Sequence, residues 1–554
     1  MTEAKEETIR ANWRCFIACS IIVLSPFQYG LDFGLIGGLQ AMPGFLKIYG
    51  YRAPETAIGW NISTTRQQLI SSLMTLGAFI SSSLAGLVAA KLGRRTCLWL
   101  ACLLCVVANI IMMTTTHIGP LYAGRLLIGL ANGYFMTFSQ LYIQESSPAK
   151  YRGLFLSFFQ FCTTFVSTES NLPSRVFPSF ALTQSTKGTL IGTIIDWTTA
   201  KRPDKSSYLI PLGIIYVVPA ILFISMFFIP ESPRWLILQG RFEEAHKSLK
   251  WLRPTDANIE DEVAEIRLAI DKERELTSDV GYMDMFKNPI DRRRTMLSVG
   301  AVTLQAASGS MFIIAYKAYF FAMAQVEDPF AMSNVLSTAG MVAIIVNAII
   351  VVRYGRRRVL LTNGLIISGG FQLIIAIIYD KNPGTIVTGK VLVALSCLYM
   401  MSYNGMIASY SWLVGGEIPS QRLRSHTFGL AAAVGFLGAW LITFTAPYFI
   451  NPSSLNWGPR YGFIWCPSCL IAAAWVYFFL PEVKGRTLEE IDQMVSPQHI
   501  SRVQREFLTD PGDVQFNEKL PARKFRKYKC VRQTEIATKG KSSIEVVVSE
   551  AERA

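Results

Sequence analysis

Stretches of about 20 mostly apolar residues recur along this chain, and an α-helix of that length crosses the hydrocarbon core of a bilayer. Hydrophobic residues make up 51% of the 554 residues. The mean hydropathy of +0.32 is too high for an ordinary soluble protein. A membrane span has to satisfy its backbone hydrogen bonds internally, which a helix does. The sequence therefore predicts an all-α integral membrane protein.

The apolar stretches number twelve, and the long polar segment 231–294 divides them into two sets of six. The predicted spans are 14–37, 66–90, 97–115, 119–141, 153–172, 208–230, 295–317, 333–353, 359–379, 386–414, 426–449 and 461–480. The polar segment has charges at helical spacing, which predicts a cytoplasmic helical linker. The predicted units are a cytoplasmic N-terminus (1–13), two six-helix bundles (14–230 and 295–480) around the linker (231–294), and a cytoplasmic tail (481–554). The N-terminus lacks the features of a signal peptide, so we expect the first span to be retained.

The net charge of +14 is concentrated in short connections between spans. Basic residues cluster at 91–95, 150–152, 353–358 and 422–424. Positive short loops are typical of the cytoplasmic side of a membrane, so the charge indicates topology and not nucleic-acid binding. A further basic cluster at 523–529 in the tail could face anionic membrane lipid. A solvated, disordered tail is the alternative.

The reactive side chains are not grouped as they are in an enzyme or a metal site. The four histidines, at 117, 246, 426 and 499, have no nucleophile or acid/base cluster around them. Cys466 and Cys469 have metal-like spacing, but they lie in an apolar stretch without a second pair. We therefore expect no enzymatic activity, no metal and no other cofactor.

The first span contains Asp32 near its middle. A carboxylate at membrane depth is costly, so it usually faces a cavity and has a partner or a function. Glycines between Gly30 and Gly38 favour close helix packing around it. The alternative is that Asp32 lies at a helix end among lipid headgroups. The apolar residues on both sides of Asp32 favour the first interpretation.

Two signatures occur once in each half of the chain. KLGRR (Lys91–Arg95) follows the second span, and RYGRRR (Arg353–Arg358) follows the eighth. A signature that combines an acidic residue, a proline and an arginine, at 145–153, follows the fourth span. EIPSQRLR (Glu417–Arg424) follows the tenth. Two repeated six-span halves are typical of a transporter whose site lies at the midplane between them.

Additional motifs make this pattern specific. They are GLDFGLIGG in the first span, GRLLIG (Gly124–Gly129) in the fourth, PESPRWL (Pro230–Leu236) after the sixth and PEVKGRTLEEI (Pro481–Ile491) after the twelfth. Together they resemble the sugar porter family of the major facilitator superfamily, over nearly the whole chain. EIPSQRLR and NWGPRYGFIW are most similar to fungal α-glucoside and hexose permease-like proton symporters. The resemblance implies the major facilitator fold, with twelve transmembrane helices in two six-helix halves.

The resemblance also implies a proton-coupling pair. Arg125 in the fourth span matches the arginine that faces the aspartate of the first span, here Asp32. A guanidinium stays charged, so it stabilises an ionised carboxylate nearby and allows proton uptake when the two groups separate. A static pair that only locks two helices together is the alternative.

The charged loop residues match the cytoplasmic gate of the family. The resemblance implies that Arg94 and Arg95 contact Glu145, and that Arg356 and Arg357 contact Glu417. The remaining positions of this charge network are Arg152, Glu231, Arg234, Arg424 and Glu482. Charge pairs at an interface can break and re-form, as a gate requires. Solvated positive loops are the alternative reading of the arginines.

The substrate-binding residues match the family only in part. The matching positions are Gln160, Gln305, Tyr316 and Trp412. Other amide, tyrosine and proline positions are replaced by Ala306, Met311, Ala315, Ser409, Ser411 and Ala439. These replacements favour a ligand that is larger or less polar than glucose. Lys317 could meet an anionic substrate, although extension of its long side chain to the membrane interface is the simpler expectation.

Two segments near the predicted external side carry separate expectations. Val166–Lys187 interrupts the family pattern, and Gly188 then takes the place of an expected glycine of the fifth span. The composition of this segment is wrong for a span, so it is either a translated, retained intron or an enlarged external loop. Asn61 belongs to a sequon, Asn61-Ile62-Ser63, and is the predicted glycosylation site.

These observations predict a multi-pass protein of the plasma membrane that takes up a disaccharide, an α-glucoside or a hexose together with a proton. Its partners are then a small sugar, a proton and membrane lipid. A carrier of a polyol, a quinate-like acid or a secondary metabolite is one alternative. A sensor that binds sugar without transporting it is another.

Overall fold

The computed structural model describes residues 13–54, 59–146, 177–202, 204–253, 259–277, 282–347, 356–420 and 423–481. Its first half contains α1 (Trp13–Ile22), α2 (Leu24–Leu39), α3 (Pro43–Tyr49), α4 (Thr64–Leu92), α5 (Arg94–Thr114), α6 (Ile118–Ser146), α7 (Phe177–Thr199), α8 (Ser206–Ile214) and α9 (Val217–Ser225). Two short antiparallel strands, β1 (Tyr51–Arg52) and β2 (Trp60–Asn61), lie between α3 and α4.

The predicted linker is helical, with α10 (Pro233–Leu238), α11 (Phe242–Leu252), α12 (Ile259–Thr277) and α13 (Asp284–Lys287). The second half contains α14 (Pro289–Ala307), α15 (Ser310–Met323), α16 (Pro329–Val346), α17 (Arg357–Lys381), α18 (Ile386–Ser402), a π-helix (Tyr403–Ala408), α19 (Ser409–Glu417), α20 (Arg424–Ile450), a 3₁₀ turn (Gly458–Tyr461) and α21 (Gly462–Phe479).

Eleven helical segments among the described residues are long and apolar enough to cross a membrane. They correspond to eleven of the twelve predicted spans, and α7 takes the place of the fifth. The all-α fold predicted from the apolar pattern is thus confirmed. Several spans are broken where their residues disfavour a continuous helix. The seventh span is interrupted at Gly309, whose φ of +75° suits a residue without a Cβ.

The fifth span was predicted at residues 153–172. Residues 153–172 lie outside the described residues, and the observed helix α7 begins at Phe177. The backbone of residues 177–187 is helical and continues into Gly188, although the composition of this segment argued against a helix. A Cβ on Gly188 would lie 2.1 Å from the carbonyl oxygen of Phe27, so this glycine allows α7 to pack tightly on α2.

The two halves meet mainly where α4 packs against α20 and α7 packs against α16, and α2 also packs against α15. Hydrogen bonds join the halves at one end, where Asn61 of the first half contacts Tyr319 and Asn451 of the second. We call this the Asn61 end. The opposite end, with Arg94, Glu145 and Arg357, is called the arginine-rich end.

Candidate functional site

The structure brings Asp32 and Arg125 together inside the first half. Arg125 Nη1 lies 3.1 Å from Asp32 Oδ1, and both side chains are buried. The other carboxylate oxygen, Oδ2, accepts a hydrogen bond of 3.1 Å from Asn132 Nδ2. Each oxygen of Asp32 therefore has a donor. Sequence analysis missed Asn132, although it lies two helical turns after Arg125 on the same face.

The position of Arg125 depends on close contact between α4 and α6. Its Nε donates to the carbonyl oxygen of Ile70 at 2.9 Å, and Nη2 lies 3.0 Å from the sulfur of Met74. A Cβ on Gly129 would lie 2.2 Å from the carbonyl oxygen of Met74. Gly129 therefore allows α4 and α6 to pack closely enough for the Arg125 guanidinium to contact the Ile70 carbonyl oxygen and the Met74 sulfur. Fork-shaped guanidinium geometry allows these contacts at once.

At the arginine-rich end, Arg94 and Glu145 form an ion pair of 2.7 Å. Glu145 also accepts a hydrogen bond of 2.6 Å from the hydroxyl of Ser232. Glu231 accepts backbone N–H groups from Arg94 at 3.0 Å and Arg95 at 3.1 Å, and thus holds the start of α5. Burial raises the pKa of the Glu231 carboxyl, and these backbone donors oppose that shift.

The Arg95 side chain contacts an aromatic ring in this structure. Its guanidinium lies 4.6 Å from the centre of the Trp99 ring. Its backbone N–H contacts Glu231, whereas the ion pair to Glu145 comes from Arg94. Side chains of two successive helical residues point about 100° apart. Arg94 and Arg95 therefore do not both contact the Glu145 carboxylate.

The second half repeats this arrangement. Arg357, at the start of the ninth span, forms an ion pair with Glu417, at the end of the tenth. Arg356 is the exposed residue before the first turn of α17, so the guanidinium that reaches Glu417 is that of Arg357. Arg358 packs with its guanidinium 5.2 Å from the centre of the Tyr477 ring. The three consecutive arginines thus have different surroundings: Arg356 is exposed, Arg357 contacts a carboxylate and Arg358 contacts an aromatic ring.

Other predicted gate residues are placed less completely. Arg234 lies in the first turn of α10, and Arg424 begins α20, where its side chain is outside the described part of the chain. Arg152, Glu482 and the predicted substrate residue Gln160 also fall outside the described residues. Sequence analysis missed Arg253, which pairs with Glu262 at 2.6 Å and ties the linker to the end of α6 through the carbonyl oxygen of Ser146.

The three described substrate candidates lie in the second half. Gln305 lies in the last turn of α14 and donates to the carbonyl oxygen of Ala408 at 3.1 Å. Tyr316 is fully buried and donates to the carbonyl oxygen of Thr443 at 2.7 Å. Trp412 is half-buried, with its ring centroid 5.9 Å from that of Phe428. The two hydrogen bonds connect the seventh span to the tenth and eleventh spans.

Asn61, whose glycosylation stays a prediction, is buried in this structure. Asn61 is only 2% exposed. Its Nδ2, the atom to which a glycan would be attached, donates to Asn451 at 3.1 Å. Its Oδ1 accepts from the hydroxyl of Tyr319 at 3.0 Å. A buried amide that bonds to the opposite half has no room for a sugar chain.

Two charged residues of the interface differ from expectation. Lys317 is 2% exposed and therefore does not extend to the membrane surface. Its ammonium donates to the hydroxyl of Ser337 at 2.7 Å. Asp196, which sequence analysis did not consider, is fully buried on α7 of the other half. The signal was an acidic residue within the apolar run that follows Gly188.

Comparison with known proteins agrees with this architecture. The profile of the "Sugar (and other) transporter" family matches residues 18–167 and 179–495. The high glucose sensor RGT2 of Saccharomyces cerevisiae is 28% identical over 88% of this chain, which spans 61% of that relative's length. The major facilitator-type transporter ecdD of Aspergillus rugulosus is 27% identical, with 88% of each chain covered. The α-glucosides permease MPH3 of S. cerevisiae is 27% identical, covering 87% of this chain and 77% of the permease.

Solved structures show the same fold. The inward-open xylose transporter XylE of Escherichia coli superimposes with a TM-score of 0.67, covering 87% of this chain and 99% of XylE at 18% identity. The major facilitator fold implied by the sequence motifs is therefore confirmed, as is the resemblance to sugar porters. The chain belongs to the sugar transporter family of the major facilitator superfamily.

Proposed function

We propose that this sugar transporter couples the uptake of a sugar to the entry of a proton by alternating access. In the proposed topology the arginine-rich end faces the cytoplasm and the Asn61 end faces the outside of the plasma membrane. The sugar is a disaccharide, an α-glucoside or a hexose. The observation that carries the coupling proposal is the buried contact between Asp32 and Arg125, 3.1 Å apart.

The surroundings of Asp32 suit a proton site. An ionisable residue inside a membrane span usually marks an ion or proton pathway. Two donors, from Arg125 and Asn132, compensate the ionised carboxylate in this conformation. Arg125 stays charged throughout, so any movement that weakens its contact removes stabilisation of the carboxylate and favours protonation. Movement of helices in the transport cycle can thereby bind and release one proton.

The substrate class is supported by the second half and by the relatives. Neutral polyhydroxyl compounds need donors, acceptors and an apolar or aromatic wall, and they offer no charge. Gln305 and Trp412 can supply a polar contact and an aromatic face. A relative at 27% identity carries the name α-glucosides permease. The missing amides at Met311 and Ala439 favour a ligand with a larger apolar surface than a single hexose.

The test is uptake of labelled glucose, xylose and maltose by transporter-null cells that express this chain, with and without a proton gradient. We expect accumulation of one of these sugars that collapses with the gradient. Asp32→Asn should abolish accumulation against a concentration gradient and leave equilibrative exchange. The control Glu244→Gln removes a carboxylate that pairs on the protein surface with Arg241.

The outcomes separate the alternatives. Undiminished accumulation by Asp32→Asn would reject coupling through Asp32. The likeness to a high glucose sensor raises a second function, binding without transport. Sugar-dependent thermal stabilisation without uptake would favour that function. A carrier of polyols, quinate-like acids or secondary metabolites would transport a member of those classes and none of the three sugars.

A further inference from the structure

Neutral polar side chains join the two halves at the Asn61 end. Asn61 Nδ2 donates to Asn451 Oδ1 at 3.1 Å, and the hydroxyl of Tyr319 donates to Asn61 Oδ1 at 3.0 Å. Asn451 Nδ2 donates in turn to Gln67 Oε1 at 2.8 Å and to the carbonyl oxygen of Ile62 at 2.9 Å. Asn61, Ile62 and Gln67 belong to the first half, whereas Tyr319 and Asn451 belong to the second. Each of these bonds therefore crosses from one half to the other.

The four side chains of this cluster are removed from water. Gln67 and Asn451 are 0% exposed, Tyr319 is 1% exposed and Asn61 is 2% exposed. A buried polar group that loses its partner costs more than the hydrogen bond itself contributes, because the group is left desolvated. When the halves separate, water can replace each partner, so the net contribution of each bond is modest. Such a cluster stabilises the closed conformation and still allows it to open.

Backbone groups fix the orientation of both asparagine amides. The Oδ1 atom of Asn61 accepts the N–H of Ile62 at 2.8 Å. The Oδ1 atom of Asn451 accepts the N–H of Ser453 at 3.0 Å, in the turn that follows α20. A backbone N–H only donates, so these contacts identify each oxygen and place each Nδ2 on the other side of its amide. Both backbone donors lie in the same half as the amide they hold, so each Nδ2 is positioned independently of the contact between the halves.

The cluster joins elements that have to separate when this end opens. Asn61 ends β2 and Gln67 lies in the first turn of α4, so the first half contributes the connection between its first two spans. The second half contributes Tyr319 of α15 and Asn451, which caps the C-terminus of α20. Because α4 packs against α20, the hydrogen bonds close the end of this helix pair.

Hydroxyl groups continue the contact on the exposed side of the cluster. Thr64 Oγ1 lies 3.0 Å from Ser453 Oγ and 2.6 Å from Ser454 Oγ, again across the halves. All of these side chains are neutral, in contrast to the ion pairs within each half at the arginine-rich end. Burial of a charge costs several kcal/mol of desolvation. A neutral contact does not incur that cost each time the end closes.

We propose that Asn61, Gln67, Tyr319 and Asn451 form a neutral amide latch that holds the Asn61 end closed and breaks each time this end opens. Its members are positioning residues, because they act through the relative placement of the halves and not through contact with the sugar or the proton. The inference rests on the alternating access of the proposed function, but it requires neither a particular sugar nor proton coupling.

The experiment measures opening of the Asn61 end in intact cells. Ala315 is 1% exposed, and its carbonyl oxygen lies 3.0 Å from the position of a Cβ on Gly37, in α2 of the other half. Ala315→Cys should therefore react slowly with a membrane-impermeant maleimide while this end is closed. The full-length chain without this cysteine gives the background from native cysteines. Labelling needs no sugar and no proton gradient.

Every variant also carries Ser63→Ala, which removes the sequon and keeps a glycan from Asn61. The Ser63 side chain makes no capping hydrogen bond within the described part of the chain. Ala315→Cys combined with Ser63→Ala is the parent for all comparisons.

Tyr319→Phe should accelerate labelling about threefold or more, because it removes one hydrogen bond between the halves and keeps the ring. Tyr399→Phe is the matched control. The Tyr399 side chain is also fully buried, but its hydroxyl donates to the carbonyl oxygen of Ser308 at 2.9 Å, within the second half. The control should label at the parent rate.

Asn451→Asp should accelerate labelling about tenfold or more, because it replaces the amide group that donates to Ile62 and Gln67 by an oxygen that only accepts. It keeps the oxygen that holds the turn at Ser453. Asn109→Asp is the matched control, since the Asn109 amide is buried and donates to the carbonyl oxygen of Leu212 within the first half.

Two results would overturn the proposal. One is parent-like labelling of both Tyr319→Phe and Asn451→Asp. The other is equal acceleration by Tyr319→Phe and Tyr399→Phe, which would mean that loss of any buried hydroxyl loosens the protein. If Asn451→Asp fails to reach the cell surface, the comparison of the two tyrosine variants decides the matter.

Glu327→Cys separates a failure of the latch from a failure of the proposed topology. Glu327 is exposed between α15 and α16, so this cysteine should be labelled rapidly in intact cells. Labelling only after permeabilisation would contradict the topology of the proposed function. The same comparison of latch and control variants in permeabilised cells then tests the latch.

Discussion

Single buried polar groups distinguish this chain from a generic bundle of apolar helices. Asp32 is bonded at both oxygens, by Arg125 and by Asn132. The Asn132 contact satisfies an acceptor that burial removes from water, and an unsatisfied acceptor in such a place costs about 1–3 kcal/mol. Asn132 therefore stabilises the ionised form of the carboxylate in this conformation.

At the residue scale we predict that Asn132→Ala destabilises the protein by about 1–3 kcal/mol, because Asp32 Oδ2 loses its donor. The measurement is thermal unfolding of the purified protein in detergent. Thr137→Ala on the same helix is the control, since the Thr137 hydroxyl bonds to the carbonyl oxygen of Gly133 in its own helix. An equal loss in both variants would argue that Asn132 acts through general packing.

Elements meet in this fold where a residue without a side chain permits it. Gly93 joins α4 to α5 with a φ of +85°, and a Cβ there would lie 2.5 Å from Glu231 Oε2. The GRR signature thus contains a glycine with two functions. It adopts an extended backbone with positive φ (ψ 168°) that is essentially restricted to glycine, and it leaves space for the carboxylate that binds the start of α5.

At the element scale, Gly93→Ala should lower the free energy of unfolding by more than Gly240→Ala does. Both glycines have positive φ, which costs an L-residue about 1–2 kcal/mol. A Cβ on Gly240 meets nothing within 4 Å, so that variant reports backbone strain alone. The measurement is again thermal unfolding. Equal losses would mean that displacement of Glu231 costs nothing.

The whole molecule is a repeat of two halves, and its ion pairs follow that repeat. Arg94–Glu145 lies in the first half and Arg357–Glu417 in the second. Each pair joins the loop after the second span of its half to the end of the fourth. In this conformation both pairs stabilise a half internally.

At the scale of the molecule we predict that Glu145→Gln and Glu417→Gln each cost about 1.5–3 kcal/mol, the value of a hydrogen bond to a charged group. Their effects on unfolding should add in the double variant, because independent sites add to within about 0.5 kcal/mol. Coupling well above that value would show one charge network that spans both halves. Glu244→Gln on the surface should change stability by less than about 0.5 kcal/mol.

Much of the architecture follows from local sequence. The lengths of apolar runs predict spans because a bilayer imposes a minimum helix length. The duplicated signatures predict two halves, and the contact of Asp32 with Arg125 was expected from single motifs in two spans. The predicted fifth span, 153–172, lies outside the described residues, and helix α7 (Phe177–Thr199) occupies the place of the fifth span.

The sequence by itself determined the class of fold, the transporter family, and Asp32 and Arg125 as charged residues at membrane depth. Tertiary structure decided the partners that no motif indicated, such as Asn132 for Asp32 and Ser232 for Glu145, because these partners come from distant parts of the chain. Asn61 has the local pattern of a glycosylated loop, yet it is buried by Asn451, 390 residues away. Lys317 has a side chain long enough to reach a membrane surface, yet it is buried and bonds to Ser337. Burial depends on which helices pack together, and no window of sequence contains that information.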